Sequence, residues 1–252
     1  MVQYLSINTG KIIKVFNVLN KDLYPCVKDQ PPNHRQQYRK RERMNDELHL
    51  HEPFDYYYNN FGFRSINEED YDLNDINDIW CFGCSFTHGI GVSRQNCWPG
   101  IIQTKTNRTV KNFGIGRAGP ITTYRLMNGW YNSVKNKPKK IFVLGFFPGR
   151  TEIWNDTENI FITQTAQQTM DLPYDPFEID SMYENIIPKI KKFTNTTVFL
   201  NLLEIEKLAY SVGKYDKGRD ASKKLKEEKK WQGHPGPQFH EFVADMVINK
   251  YL

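Results

Sequence analysis

Ser85, His234 and a set of glycine turns are the residues whose types and order suit chemistry. Ser85 lies in Ile79-Trp80-Cys81-Phe82-Gly83-Cys84-Ser85-Phe86-Thr87-His88-Gly89, where an apolar run breaks at glycine and delivers a hydroxyl to a tight turn. In open α/β sheets such a turn, at the carboxyl end of a buried strand, is where ligands bind. A serine placed there is a nucleophile once a base reaches it; without one, the segment is a Gly/Ser-rich strand-to-helix turn. His234-Pro235-Gly236-Pro237 puts a histidine on a rigid loop ahead of a helical pattern. An imidazole so held suits a general base. His240 and His88 are weaker candidates for the same role. Asn112-Phe113-Gly114-Ile115-Gly116-Arg117-Ala118-Gly119, between the two, is a second strand-to-glycine turn.

The four cysteines, Cys26, Cys81, Cys84 and Cys97, raise a competing chemistry. Cys81 and Cys84 have the C-x-x-C spacing of redox and metal pairs. A metal site needs a second ligand pair, and none stands at usable spacing. A thioredoxin-like motif opens a helix, whereas Cys81 sits inside the apolar strand run. The cysteines therefore read as reduced thiols, and no metal or cofactor is implied.

Positioning Ser85 and His234 requires a scaffold, and its elements alternate. Strands are expected at 78–83, 109–114, 139–146 and 196–202, with helices near 96–105, 120–135, 180–193 and 237–250. Phe239, Phe242, Val243, Met246 and Val247 recur at helical spacing in the last of these. Strand–helix alternation implies a parallel sheet covered by helices on both faces, a three-layer αβα, flavodoxin-like α/β fold. Residues 1–54 read as a basic N-terminal extension, with an edge strand over Ile12–Val18 and a cluster of Arg35, Arg39, Lys40, Arg41 and Arg43. The α/β domain spans 55–252. Within it, the Thr/Gln/Asp-rich stretch 150–178 is too long for a plain linker and reads as a lid or substrate-side loop.

Serine turn, glycine turn and late histidine, in that order, resemble the SGNH (GDSL-type) hydrolases, a family of esterases and acylhydrolases. The resemblance extends to the lead-in Asn59-Asn60-Phe61-Gly62-Phe63-Arg64-Ser65 and to Ile90-Gly91-Val92 with Trp98. It covers roughly residues 55–130 and 230–252. It implies Ser85 as nucleophile in the family's G-D-S-x-x-x-G block, with Cys84 in place of the aspartate. It implies His234 as general base, and the Ser85 and Gly116 backbone amides as oxyanion donors, with Gly119 an alternative to Gly116. The family's acid three residues before the histidine is Trp231 here. If 221–232 is a Lys-rich insertion, Asp220 folds back to His234 in its place; Asp216 and Glu204 are alternatives. The family's asparagine after the third strand is Phe147, with Arg150 close by as a possible substrate contact.

Partners follow from charge and from the resemblance. The net charge of +5 is modest, and the block Lys223, Lys224, Lys226, Lys229, Lys230 is broken by Glu227 and Glu228. It reads as a solvated helical face with i,i+3 pairs rather than a nucleic-acid surface. No membrane span is present in the pattern. The implied substrate is a small acyl ester or an O-acylated glycan, as for a carbohydrate O-deacetylase; a glycan-binding or particle-associated module without turnover is the alternative. The amino terminus lacks a signal-peptide pattern, so a cytoplasmic or virion-associated location is the expectation.

Overall fold

The four apolar runs expected as strands pair into one parallel sheet. A computed structural model describes residues 3–5, 12–14, 57–58, 63–65, 78–116, 118–146, 150–155, 160–164, 176–216 and 234–252. In chain order the strands are β1 (Gln3–Leu5), β2 (Ile12–Lys14), β3 (Tyr57–Tyr58), β4 (Arg64–Ser65), β5 (Ile79–Gly83), β6 (Val110–Gly114), β7 (Lys140–Leu144), β8 (Thr151–Asn155), β9 (Ile160–Gln164) and β10 (Thr197–Leu200). The helices are α1 (Ser85–His88), α2 (Trp98–Thr106), α3 (Pro120–Ser133), α4 (Pro176–Lys191), α5 (Leu202–Ser211) and α6 (Pro237–Tyr251).

The sheet runs β10-β7-β5-β6, all parallel. Ile141, Phe142, Val143 and Leu144 form an unbroken buried run, as a parallel strand covered on both faces requires. On one face Phe82 and Phe113 stack at 4.9 Å, and Trp130 of α3 lies 5.5 Å from Phe113. Phe142 and Tyr251 of α6 approach to 6.1 Å on the other. Helices α3 and α4 pack together, as do α2 and α6, so helices cover both faces of the sheet. That is the three-layer α/β arrangement expected from the sequence.

Strand order fixes where chemistry belongs. Taken along the chain, the four strands lie side by side as second, first, third, fourth, the flavodoxin-like order. The chain leaves β5 toward β6 on one side and β7 toward β10 on the other, so the order reverses between β5 and β7, and the carboxyl ends of strands at such a switch point are where α/β sheets bind ligands. Gly83 ends β5 and Ser85 follows it. Prolines open the helices that leave this edge: Pro120 follows the N-cap Gly119 and Pro237 follows the N-cap Gly236. Proline suits the first helical position because its missing N–H would have had no partner there.

The structure departs from the sequence pattern in three places. Helix α4 starts at Pro176 rather than near 180. Helix α5 occupies residues read partly as the end of the fourth strand; Asn201 caps it by accepting the Leu203 N–H at 3.2 Å. Within 150–178, β8 and β9 form an antiparallel hairpin pairing Thr151 with Gln164 and Asn155 with Ile160. Of the edge strand expected over Ile12–Val18, Ile12–Lys14 is β2, paired with β1; 15–18 lie outside the described residues. The arginine-rich cluster and the Lys-rich block 221–232 lie outside the described residues.

Candidate active site

Ser85 opens α1, a single helical turn directly after β5. Such a sharp exit is possible because Gly83 has φ of +150°, a conformation L side chains rarely adopt. A Cβ on Gly83 would also lie 2.3 Å from Thr87 Oγ1 and 2.7 Å from the Leu144 carbonyl. The turn closes through the Thr87 and His88 amides, both donating to the Cys84 carbonyl at 3.0 Å, and through the Gly89 and Ile90 amides, donating to the Ser85 carbonyl at 2.9 and 3.1 Å. Ser85 is 3% exposed, and its Oγ has no hydrogen-bond partner among the described residues. Its backbone N–H is one of the first amides of a helix, which have no intrahelical acceptor.

Buried side chains reached from elsewhere in the chain hold this turn. Asn112 of β6 donates to the Thr87 carbonyl at 2.9 Å and accepts the Gly114 N–H at 2.9 Å. Arg64, fully buried, donates through Nη1 to the His88 carbonyl at 2.9 Å and to the Gly89 carbonyl, and through Nη2 to the Val92 carbonyl. The Ile115 N–H donates to the Gly83 carbonyl at 3.0 Å, tying the second glycine turn to the first. Gly116 therefore sits on the same sheet edge as Ser85. Sequence reasoning did not single out Asn112 or give Arg64 a role.

His234 reaches this edge from the far end of the chain. Its ring lies 5.9 Å, edge-on, from that of Phe86, the residue after Ser85. Asp216 anchors the histidine loop twice: its carbonyl accepts the Gly236 N–H at 3.0 Å, and its Oδ1 accepts the Phe239 N–H at 3.0 Å. The carboxylate thus caps α6 from another segment, where it complements the positive end of the helix. Asp220 lies outside the described residues, as do Trp231 and Phe147. Glu204 is exposed in the first turn of α5. Arg150 is half-buried with its backbone against α3: a Cβ on Gly119 would lie 2.3 Å from the Arg150 carbonyl oxygen.

The chain is similar in structure to G-D-S-L lipolytic proteins. One from Veillonella parvula is 13% identical, with a TM-score of 0.40, over 69% of this chain and 97% of its own. One from Desulfitobacterium hafniense is 11% identical, with a TM-score of 0.38, over 69% of this chain and 98% of its own. An acetyl xylan esterase from the rumen bacterium Butyrivibrio proteoclasticus is 12% identical, with a TM-score of 0.34, over 72% of this chain and 65% of its own. No protein-family model and no curated protein matches.

The remaining candidates have structural work. His240 is fully buried, and its Nδ1 accepts the Trp98 N–H at 3.3 Å. That bond places the ring proton on Nε2 and occupies the lone pair a base would need. Burial, helped by the charges of Arg64 and His234, pushes its pKa down to about 3, so it stays neutral. Cys81 and Cys84 have different surroundings. Cys84 Sγ faces the Gly145 carbonyl at 4.0 Å, whereas Cys81 lies within the field of Arg94 and Cys97. Burial holds the Cys81 thiol well above its usual range, and Cys81, Cys84 and Cys97 are all free and buried. Among the described residues no cluster of three His, Cys, Asp or Glu is placed to hold a metal, and no helix is long and apolar enough to cross a membrane. A groove of about 700 Å³ between α3 and α4, walled by Tyr124, Tyr131, Asn128 and Glu184, includes no residue of the serine turn.

Proposed function

We propose that the chain is a serine ester hydrolase acting on small acyl esters, with O-acetylated carbohydrate the favoured class. The observation that carries this reading is the Ser85 hydroxyl, without a hydrogen-bond partner among the described residues, at the start of a helix on the sheet's switch-point edge, with His234 beside the next residue. Ser85 Oγ attacks the acyl carbonyl while His234 takes its proton. The tetrahedral oxyanion is met by the Ser85 amide and the Gly116 amide. Collapse expels the alcohol, which leaves with the proton from His234, and an acyl-serine remains. Water, deprotonated by His234, then releases the acid and restores Ser85. Asp220 is the proposed orienting acid; Asp216, already bonded to the histidine loop, is the alternative within the described residues. Arg150 is proposed to meet a polar or acidic part of the substrate.

A second reading, a glycan-binding module of this fold without turnover, is favoured by one observation. Ser85 Oγ makes no hydrogen bond to His234, and the side chain is almost fully covered. Hydrogen bonds of this kind often tighten only when substrate binds.

Hydrolysis of p-nitrophenyl acetate, run beside Ser85→Ala with fluorophosphonate trapping, separates the two. The hydrolase reading expects turnover and labelling that both vanish in Ser85→Ala. A folded protein that neither labels nor differs from the variant sinks it.

A further inference from the structure

Two peptide units join Arg64 to Ser85. In the unit between His88 and Gly89, the carbonyl accepts from Arg64 Nη1 and the N–H donates to the Ser85 carbonyl. The next unit repeats the arrangement: the Gly89 carbonyl accepts from the same Nη1, and the Ile90 N–H donates to the same Ser85 carbonyl. Each unit is rigid and planar, so fixing its oxygen fixes the direction of its N–H. Hydrogen bonds in such a chain also polarise one another, and a cation at the head strengthens the effect. We propose that Arg64 is a positioning residue for the nucleophile, setting the Ser85 main chain through these two peptide units.

The arrangement explains features that simple capping leaves over. A lone donor would satisfy one carbonyl at the end of α1, whereas the guanidinium fork spans His88, Gly89 and Val92. The space for it is cut closely: a Cβ on Gly89 would lie 2.9 Å from Arg64 Nη1. A one-turn helix of four residues has no cooperativity of its own to hold its first residue in place. The orientation of Ser85 is therefore supplied from outside the turn. Its catalytic consequence rests on the hydrolase reading; the positioning itself does not.

Arg64→Lys and Arg64→Leu test the proposal by amide hydrogen exchange and by ester turnover. Lysine places one ammonium where Nη1 stands and loses the fork; leucine leaves all three carbonyls without the donor. In the native protein the Gly89 and Ile90 amides exchange as slowly as those of β5. Arg64→Leu speeds their exchange by about tenfold or more while β5 and β7 keep theirs, and Arg64→Lys falls between. In turnover, kcat drops on the order of 10²-fold in Arg64→Leu, the scale of a misplacement of about 1 Å, with KM held within about twofold. Arg64→Lys recovers part of the loss.

Native Gly89 and Ile90 amides that exchange freely overturn the proposal, and so does exchange raised evenly across the sheet in Arg64→Lys. Turnover that depends on Ser85 but is untouched in both variants overturns it while leaving the hydrolase standing. A native protein with no turnover, whose variants still show the local exchange change, sinks the hydrolase and leaves the positioning role intact. Should Arg64→Leu fail to fold, the native amides and Arg64→Lys decide the matter.

Discussion

A hydroxyl buried without a hydrogen bond costs on the order of 1–3 kcal/mol, and among the described residues the Ser85 hydroxyl has no partner. The neighbouring polar groups are treated differently. Asn112 uses both ends of its amide, one on the Thr87 carbonyl and one on the Gly114 N–H, so its side chain joins the serine turn to the adjacent strand. Cys84 Sγ makes a long thiol contact to the Gly145 carbonyl. Asn112 therefore carries much of the organisation of this turn. Asn112→Leu keeps the branched heavy-atom shape with bulkier methyls and removes the hydrogen bonds to the Thr87 carbonyl and from the Gly114 N–H. Urea unfolding should show a loss of about 2 kcal/mol or more, and esterase turnover should fall with it. A loss under about 0.5 kcal/mol would mean that Asn112 does not hold the turn.

At the scale of elements, α1 sits on β6 with almost no clearance. A Cβ on Gly114 would lie 2.3 Å from the His88 backbone nitrogen and 2.6 Å from the Thr87 backbone carbon. Neither atom belongs to a side chain that can swing aside, so Gly114→Ala must lift the serine turn off the sheet. Overpacking of this kind costs about 1–3 kcal/mol. Fluorophosphonate labelling of Ser85 should slow more than the stability loss alone would produce, read by comparing labelling rate with the urea midpoint. Labelling at the native rate would show that the turn tolerates displacement. The four strands, and the turns on which Ser85 and His234 stand, were legible in the sequence because their signals are local: an apolar run, a glycine, a proline after a histidine. Helix α5 left a signal that was passed over, Asn201 with Glu204 three residues on, the spacing of a capping box. The β8–β9 hairpin also left a signal that was passed over, the β-branched and aromatic runs Ile153-Trp154 and Ile160-Phe161-Ile162 on either side of a short polar turn sequence. The hold of Arg64 on His88 and of Asn112 on Thr87 was not legible at all, because each bond spans more than twenty residues and exists only after the sheet has formed.

Across the whole molecule, His240 links the two ends of the α/β domain and makes its stability depend on pH. It sits on α6, binds the first amide of α2 and lies near both Arg64 and His234. In the unfolded chain it titrates near 6.5; in the native structure burial brings it to about 3. Protons therefore bind the unfolded chain more readily than the native one over that interval. The contribution of neutral His240 is complete above pH 6.5 and is lost as the pH falls toward 3, roughly 4–5 kcal/mol in full. His240→Asn places an amide oxygen where Nδ1 accepts the Trp98 N–H and cannot titrate. Chemical denaturation from pH 7 to pH 3.5 should show the native protein losing several kcal/mol more than this variant, with the curves diverging from about pH 6.5 downward. Parallel curves would mean that His240 is reached by protons without unfolding, and that the packing of α6 on α2 opens at a cost far below that of the whole domain.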